Sequence, residues 1–314
     1  MSNSCVIRLV CAVLCLGASA VGSAADRATT EKLEADKVCT KCHDENEKKP
    51  ILSVYQTRHG VLADAATPTC IACHGASDEH AKAPVGAKDR KQTDIIFAGK
   101  GTSSAQARSA ACLTCHQSGK QIHWAGSVHA NQDVVCTSCH VLHAPKDPIL
   151  VRETEPAKCF TCHQTQRAQI HRMSAHPVRD GNMGCSECHN AHGSTGPKLV
   201  ARNSINETCF TCHAEKRGPF LWEHAPASDN CSNCHSPHGS NNEALLKART
   251  PWLCQQCHTG PGHVGVAGSG ADMPGGGAVA RGNPIVPWVA VRACSNCHSK
   301  VHGSNHPSGA RLLR

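Results

Sequence analysis

Ten times along this chain the sequence writes Cys-x-x-Cys-His. The motifs open at Cys39, Cys70, Cys112, Cys136, Cys159, Cys185, Cys209, Cys231, Cys254 and Cys294, and their second cysteines are Cys42, Cys73, Cys115, Cys139, Cys162, Cys188, Cys212, Cys234, Cys257 and Cys297. The closing histidines are His43, His74, His116, His140, His163, His189, His213, His235, His258 and His298. A spacing of three sets both thiols on one face of a helical turn, and the next residue places an imidazole beside them. Two thiols so placed can bond the two vinyl groups of one porphyrin while the imidazole reaches its iron, which is the attachment signature of haem c. The expected cofactor is therefore covalent haem c, ten per chain. CxxC is also a zinc half-site, and a cysteine-rich exported chain can be a disulfide scaffold. Neither alternative explains a histidine after the second cysteine in all ten copies.

The three cysteines outside the motifs, Cys5, Cys11 and Cys15, lie in the first 25 residues. That stretch carries one charge, Arg8, then the apolar run "LVCAVLCLGASAVG" and the small residues "GSAA". It reads as a secretory signal peptide over residues 1–25. No later apolar run reaches the roughly 20 residues that a helix needs to cross a bilayer. The mature chain is expected to be exported and, by itself, water-soluble. Nine aromatic residues and 43 Gly plus Pro give it too little apolar side-chain surface to offset the entropy of ordering so long a chain. A rigid apolar cofactor would supply what the side chains do not. The net charge of +7 after removal of Arg8 comes without aromatic-basic interleaving or a dense basic block, so no nucleic-acid partner is expected. Ten ferric haems with ionised propionates would each add roughly one negative charge and leave the holoprotein mildly acidic.

From Cys112 to Cys254 the motifs recur every 22 to 26 residues, and the intervening text repeats at twice that interval. "HPVRDGNMGCSECHNAHGSTGPKLVARNSINETCFTCH" matches "HAPASDNCSNCHSPHGSNNEALLKARTPWLCQQCH", so the repeating unit carries two motifs. The steps are longer at the ends: 31 residues from Cys39, 42 from Cys70 and 40 from Cys254. The last of these holds the loop-like "GSGADMPGGGAVARGN". The expected fold class is a multihaem cytochrome c: short α-helices at the motif turns, irregular Pro- and Gly-rich connections and almost no β-structure. Units that chiefly touch their neighbours predict an elongated, linear array of ten haems.

Ten closing histidines leave thirteen others. In each two-motif unit one histidine precedes the even-numbered motif and one follows it, giving His59 and His80, His129 and His143, His176 and His192, His224 and His238, and His263 and His302. These are ten candidate distal ligands for ten irons. His143, His192 and His238 share the frame CxxCHxxH, too close to reach round their own haem, so a neighbouring haem is the expected target. His306 competes with His302. His123 and His171 are surplus, with surface or propionate-binding roles as their default. Met173, Met183 and Met273 fit no repeating position. Bis-histidine ligation throughout would give low potentials, because imidazole favours ferric iron.

The ten motifs, the CxxCHxxHG repeats, "HWAGSVHA" and the closing "CSNCHSKVHGSNHPSGARLL" together resemble the MtrA/DmsE family of periplasmic decahaem cytochromes c, MtoA- and PioA-like members included. The likeness spans essentially the whole mature chain. It implies two fused pentahaem halves of the NrfB type, here 26–170 and 171–314. It also implies an electron carrier at the periplasmic side of the outer membrane, seated in a β-barrel porin. Its electron partners would be periplasmic or inner-membrane cytochromes on one side and extracellular iron or an outer-surface cytochrome on the other. A free periplasmic shuttle would use the same haems and stays open as an alternative. A multihaem oxyanion reductase is disfavoured, because it needs an iron with an open position and here all ten motifs keep their histidine. No catalytic residue is assigned.

Overall fold

The computed structural model describes residues 29–47, 49–61, 64, 66–258 and 294–313. The expected signal peptide, His263 and Met273 lie outside these residues. Within them the chain forms short α-helices, single 3-10 turns and loops, with four isolated β-bridges as the extended pairing.

Each motif closes one helical turn. The histidine N–H donates to the carbonyl of its own first cysteine, as in His116 to Cys112 at 3.0 Å, His213 to Cys209 at 2.9 Å and His298 to Cys294 at 2.9 Å. That bond holds the two sulfurs and the imidazole on one side of the turn.

The two members of a repeat unit are built differently. Odd-numbered motifs end a helix, at residues 29–40, Ala105–Leu113, Glu155–Cys159, Ile205–Cys209 and Trp252–Gln255. Even-numbered motifs begin their own turn, at Cys70–His74, Cys136–Cys139, Cys185–Glu187, Cys231–Asn233 and Cys294–Asn296. A helix delivers the first kind, and a capped loop delivers the second. The bridges repeat with the sequence: His189 pairs with Val200 as His235 pairs with Leu246, and Ser174 pairs with Ser240 as Trp222 pairs with Ser304.

Among the described residues the buried hydrophobic side chains are Trp124, Val135, Ile170 and Val200. None of the described side chains is fully buried. Such a core is far smaller than a protein of this length normally buries, as the composition leads one to expect.

The chain divides into two compact units, Met1–Val151 and Arg152–Arg314. The expected boundary at residue 170 falls later, after the fifth motif. The fifth motif groups with the second unit because its helix Glu155–Cys159 packs on the turn Cys185–Glu187.

Candidate haem centres

Among the described residues, closing histidines of seven motifs are seen facing a histidine from elsewhere in the chain. In the first unit His43 faces His80 with ring centroids 6.1 Å apart, His116 faces His59 at 6.0 Å and His74 faces His143 at 6.2 Å. In the second unit His213 faces His176 at 6.5 Å, His189 faces His238 at 5.9 Å, His258 faces His224 at 6.1 Å and His235 faces His302 at 6.2 Å. A ring nitrogen binds a metal at about 2.0–2.1 Å, so imidazoles on opposite sides of one ion have centroids roughly 6 Å apart. The seven pairs are spaced so that each could hold one metal ion between its two rings.

The second ring nitrogens agree. Nδ1 donates to a backbone carbonyl in His80 (Lys91, 2.7 Å), His143 (Ile51, 2.7 Å), His176 (Pro237, 2.8 Å), His224 (Val301, 2.9 Å), His235 (Ala244, 2.8 Å) and His298 (Arg311, 2.7 Å). A carbonyl can only accept, so Nδ1 carries the proton and Nε2 keeps its lone pair for a metal. Burial holds His59, His74, His238 and His302 below the usual histidine range, which favours the neutral ring that a metal binds. These residues fit haem iron. When bound, the haems supply the valence change that carries electrons, and the chain's part is to hold both imidazoles at fixed distance and orientation.

His306 is differently engaged. The Ser308 N–H donates to its Nδ1 at 3.2 Å, which places the proton on Nε2. It is His302 that faces a motif histidine. His129 lies in the short helix Val128–Asn131, and His192 follows its motif half-buried, its N–H donating to Asn190 at 3.2 Å. His123, His171 and Met173 are exposed.

The glycine after the candidate histidine, in CxxCHxxHG for Gly193 and Gly239 and after one inserted residue for Gly303, is a backbone requirement. Gly193, Gly239 and Gly303 have φ of 115°, 145° and 135°, and a Cβ on Gly239 would lie 2.0 Å from the Gln169 carbonyl oxygen.

Thiols of successive motifs meet in alternation. First cysteines adjoin between odd and following even motifs: Cys39 with Cys70, Cys112 with Cys136, Cys159 with Cys185, Cys209 with Cys231 and Cys254 with Cys294. Second cysteines adjoin between even and following odd motifs: Cys73 with Cys115, Cys188 with Cys212 and Cys234 with Cys257. Within each unit the motifs thus follow one another in chain order.

One group of residues has no sequence motif to announce it. Asp36, Ser109, Glu155 and Asn206 are buried, one helical turn before the first cysteine of an odd motif. Asp36 accepts from the Cys70 N–H at 2.8 Å and from the Tyr55 hydroxyl at 2.7 Å. Glu155 accepts from the Ser186 N–H at 2.8 Å, and Asn206 from the Cys231 N–H at 2.7 Å. Ser109 bonds the Cys136 sulfur. Asp36, Glu155 and Asn206 each satisfy a free N–H at the next motif's turn, and all four residues tie one motif to its successor. Burial first, then the Asp36 contact, pushes the free Cys70 thiol up to about 12. Glu155, Cys159 and Cys185 offer ligand atoms within 4.8 Å of one another, but both cysteines are motif residues whose thioethers would no longer be thiolate ligands.

Comparison with known proteins follows this geometry. Residues 176–218 and 224–263 match the doubled CXXCH motif, and residues 70–155 match the NrfB-like c-type cytochrome family. The multihaem cytochrome MtrA of Shewanella baltica is 45% identical over 285 residues, covering 88% of this chain and 80% of the relative. The chain belongs to the MtrA family of multihaem cytochromes. The c-type cytochrome NrfB of Escherichia coli is 28% identical over 151 residues, 44% of this chain and 70% of that protein. Membership makes the chain an electron carrier with covalently bound haem c, not a catalytic enzyme. Among the described residues no helix is long and apolar enough to cross a membrane.

Proposed function

We propose that this chain holds ten bis-histidine haems c and carries electrons across the outer membrane inside a β-barrel porin. The observation that carries the haem reading is the set of seven imidazole pairs at 5.9 to 6.5 Å. Each pair combines a motif histidine with a histidine whose sequence frame recurs along the chain. His129, His192 and His263 occupy the same frames, which extends the reading to ten distal ligands. Half of the paired rings are held at Nδ1 by backbone carbonyls and His43 by the Glu47 carboxylate, so an electron would enter and leave without ligand exchange. Kinship with MtrA over most of both chains supports a periplasmic carrier associated with the outer membrane. Cytochromes on the inner side, and iron or a surface cytochrome on the outer side, are the partners this reading requires. A soluble array cannot cross lipid naked, because its polar backbone would be unsatisfied there, whereas a polar-lumened barrel can enclose it.

The experiment is reconstitution. Holoprotein bound to a large outer-membrane β-barrel in liposomes should connect an enclosed reductant to an external ferric acceptor. The chain without the barrel should not. Replacing Cys159 and Cys162 together should stop transfer while haems on either side stay reducible. Free exchange with soluble partners and no affinity for any barrel would refute the wire and leave a periplasmic shuttle.

A further inference from the structure

The second nitrogen of a ligating imidazole sets how much electron density the ring gives its metal. Among the even-numbered motifs, His74, His189, His235 and His298 donate Nδ1–H to backbone carbonyls, of Ile95, Lys198, Ala244 and Arg311, at 3.3, 3.1, 2.8 and 2.7 Å. His140 departs from this. Its Nδ1 donates to the Asp147 carboxylate at 2.7 Å.

The repeats show how the substitution arises. "CHVLHAPKDPILV", "CHNAHGSTGPKLV" and "CHSPHGSNNEALL" align Asp147 with Gly196 and Asn242, each just before a 3-10 turn: Pro148–Leu150, Pro197–Leu199 and Glu243–Leu245. In the last two turns the middle residue, Lys198 or Ala244, is left-handed, with φ of 53° or 52°. That conformation delivers its carbonyl to the imidazole. The middle residue of the first turn is Ile149, which is absent from the residues of positive φ. A β-branched side chain makes the left-handed region costly. With no carbonyl delivered, the side chain of Asp147 takes its place. It is held there: Oδ1 accepts from the Val141 and Ile149 N–H groups, both at 3.3 Å, and the side chain is 14% exposed.

We infer that Asp147 is a potential-tuning residue, acting through His140 on the haem of Cys136 and Cys139. The inference rests on the haem reading above. A carboxylate on Nδ1 makes the imidazole a stronger donor and adds a negative charge close to the metal, and both favour ferric over ferrous iron. This haem therefore lies below those of His189 and His235 in potential and forms an energetic step within the row. Glu47 makes the same contact to His43 at 2.6 Å, but its side chain is 37% exposed, so water screens its charge and its effect is smaller.

The test is an optical redox titration of holoprotein, with the intact mass taken first. Asp147→Asn keeps an acceptor and removes the charge. At a fixed potential near this haem's midpoint, the oxidised-to-reduced ratio of one haem should fall about tenfold, a shift of about 59 mV to higher potential for one electron. Asp147→Ser should move the same haem in the same direction, and Glu47→Gln should move a different haem by less. A fully loaded Asp147→Asn protein whose titration superimposes on the wild type would overturn the inference. Loss of the haem from both Asp147 variants would also overturn it, because a tuning residue leaves attachment intact. Failure of the underlying reading looks different: the wild-type mass would fall short of ten haems, or the wild-type spectrum would show high-spin iron.

Discussion

Replacing His302 by alanine separates the two candidates at the C-terminal end of the chain. His302 faces His235 at 6.2 Å with the rings 12° from parallel, and burial, with Lys216 next, keeps it below the usual histidine range. His306 accepts at Nδ1 from the Ser308 N–H, and its carbonyl accepts from the Trp222 indole at 3.0 Å, so its place is in the local turn. One of ten irons should lose its sixth ligand in His302→Ala. The magnitude follows directly: about one tenth of the haem converts from low to high spin, and the reduced protein takes up one equivalent of carbon monoxide. The intact mass should stay that of the fully loaded protein, because both thioethers of Cys231 and Cys234 remain. Added imidazole should restore the low-spin spectrum. The matching His306→Ala protein should show no high-spin fraction and bind no carbon monoxide. High-spin iron in His306→Ala with none in His302→Ala would refute the reasoning from ring separation and tautomer.

Denatured wild-type protein should weigh the mature chain plus ten haems, and a mass with eight or fewer from a host competent in haem attachment would contradict the motif reading. Asn206→Ala should destabilise the second unit by about 2–4 kcal/mol, because the Cys231 N–H and the Ala227 and Ser228 carbonyls lose a buried partner and each such loss costs about 1 kcal/mol. Denaturant unfolding followed by low-spin absorption measures this, and a change within about 0.5 kcal/mol would contradict the tie between the seventh and eighth motifs. Gly239→Ala forces a side chain into a φ of 145° and onto the Gln169 carbonyl, so it should displace the adjacent His238 and give partial high-spin character at the haem of His189. An unchanged spectrum would show that the loop absorbs the strain.

Covalent chemistry leaves the plainest marks in a sequence. Two thioethers and one imidazole come from five consecutive residues, so the ten attachment frames and the sparse, nearly strandless fold can be read without any structure. The distal candidates are legible as positions, because their frames recur, but their partners are not. His143 faces His74 and His238 faces His189, each reaching back two motifs, while His59 and His176 face His116 and His213 in the motif after the next cysteine pair. Separations of that length carry no periodic signal. The ties between successive motifs were illegible for another reason. Asp36, Glu155 and Asn206 share a place and a role but not a residue type, since any polar acceptor one turn before the cysteine can satisfy the next turn's free N–H, while Ser109 at the same place bonds the next motif's sulfur. The division after Val151 was equally hidden: it depends on which turn the fifth motif's helix packs against, and the Pro-containing stretch before it resembles the connections between other motifs.

The same topology explains how so little core can hold a defined structure. Four buried hydrophobic residues among those described cannot order a chain of this length by apolar burial. Each facing pair joins histidines from distant segments, so the proposed ligation of one metal would close a long loop, as a disulfide would, and turn metal binding into folding free energy. The hydrogen bond from Nδ1 to a backbone carbonyl then ties ring orientation to the fold itself, with Ile51, Pro237 and Val301 each donated to by a histidine from another part of its unit. An imidazole fixed in this way has no freedom to leave the metal when its charge changes. Centres of that kind are poor catalysts and good carriers. On the proposed bis-histidine ligation, the contacts that stabilise the fold would also keep each such centre closed to substrate and able to pass an electron without rearrangement.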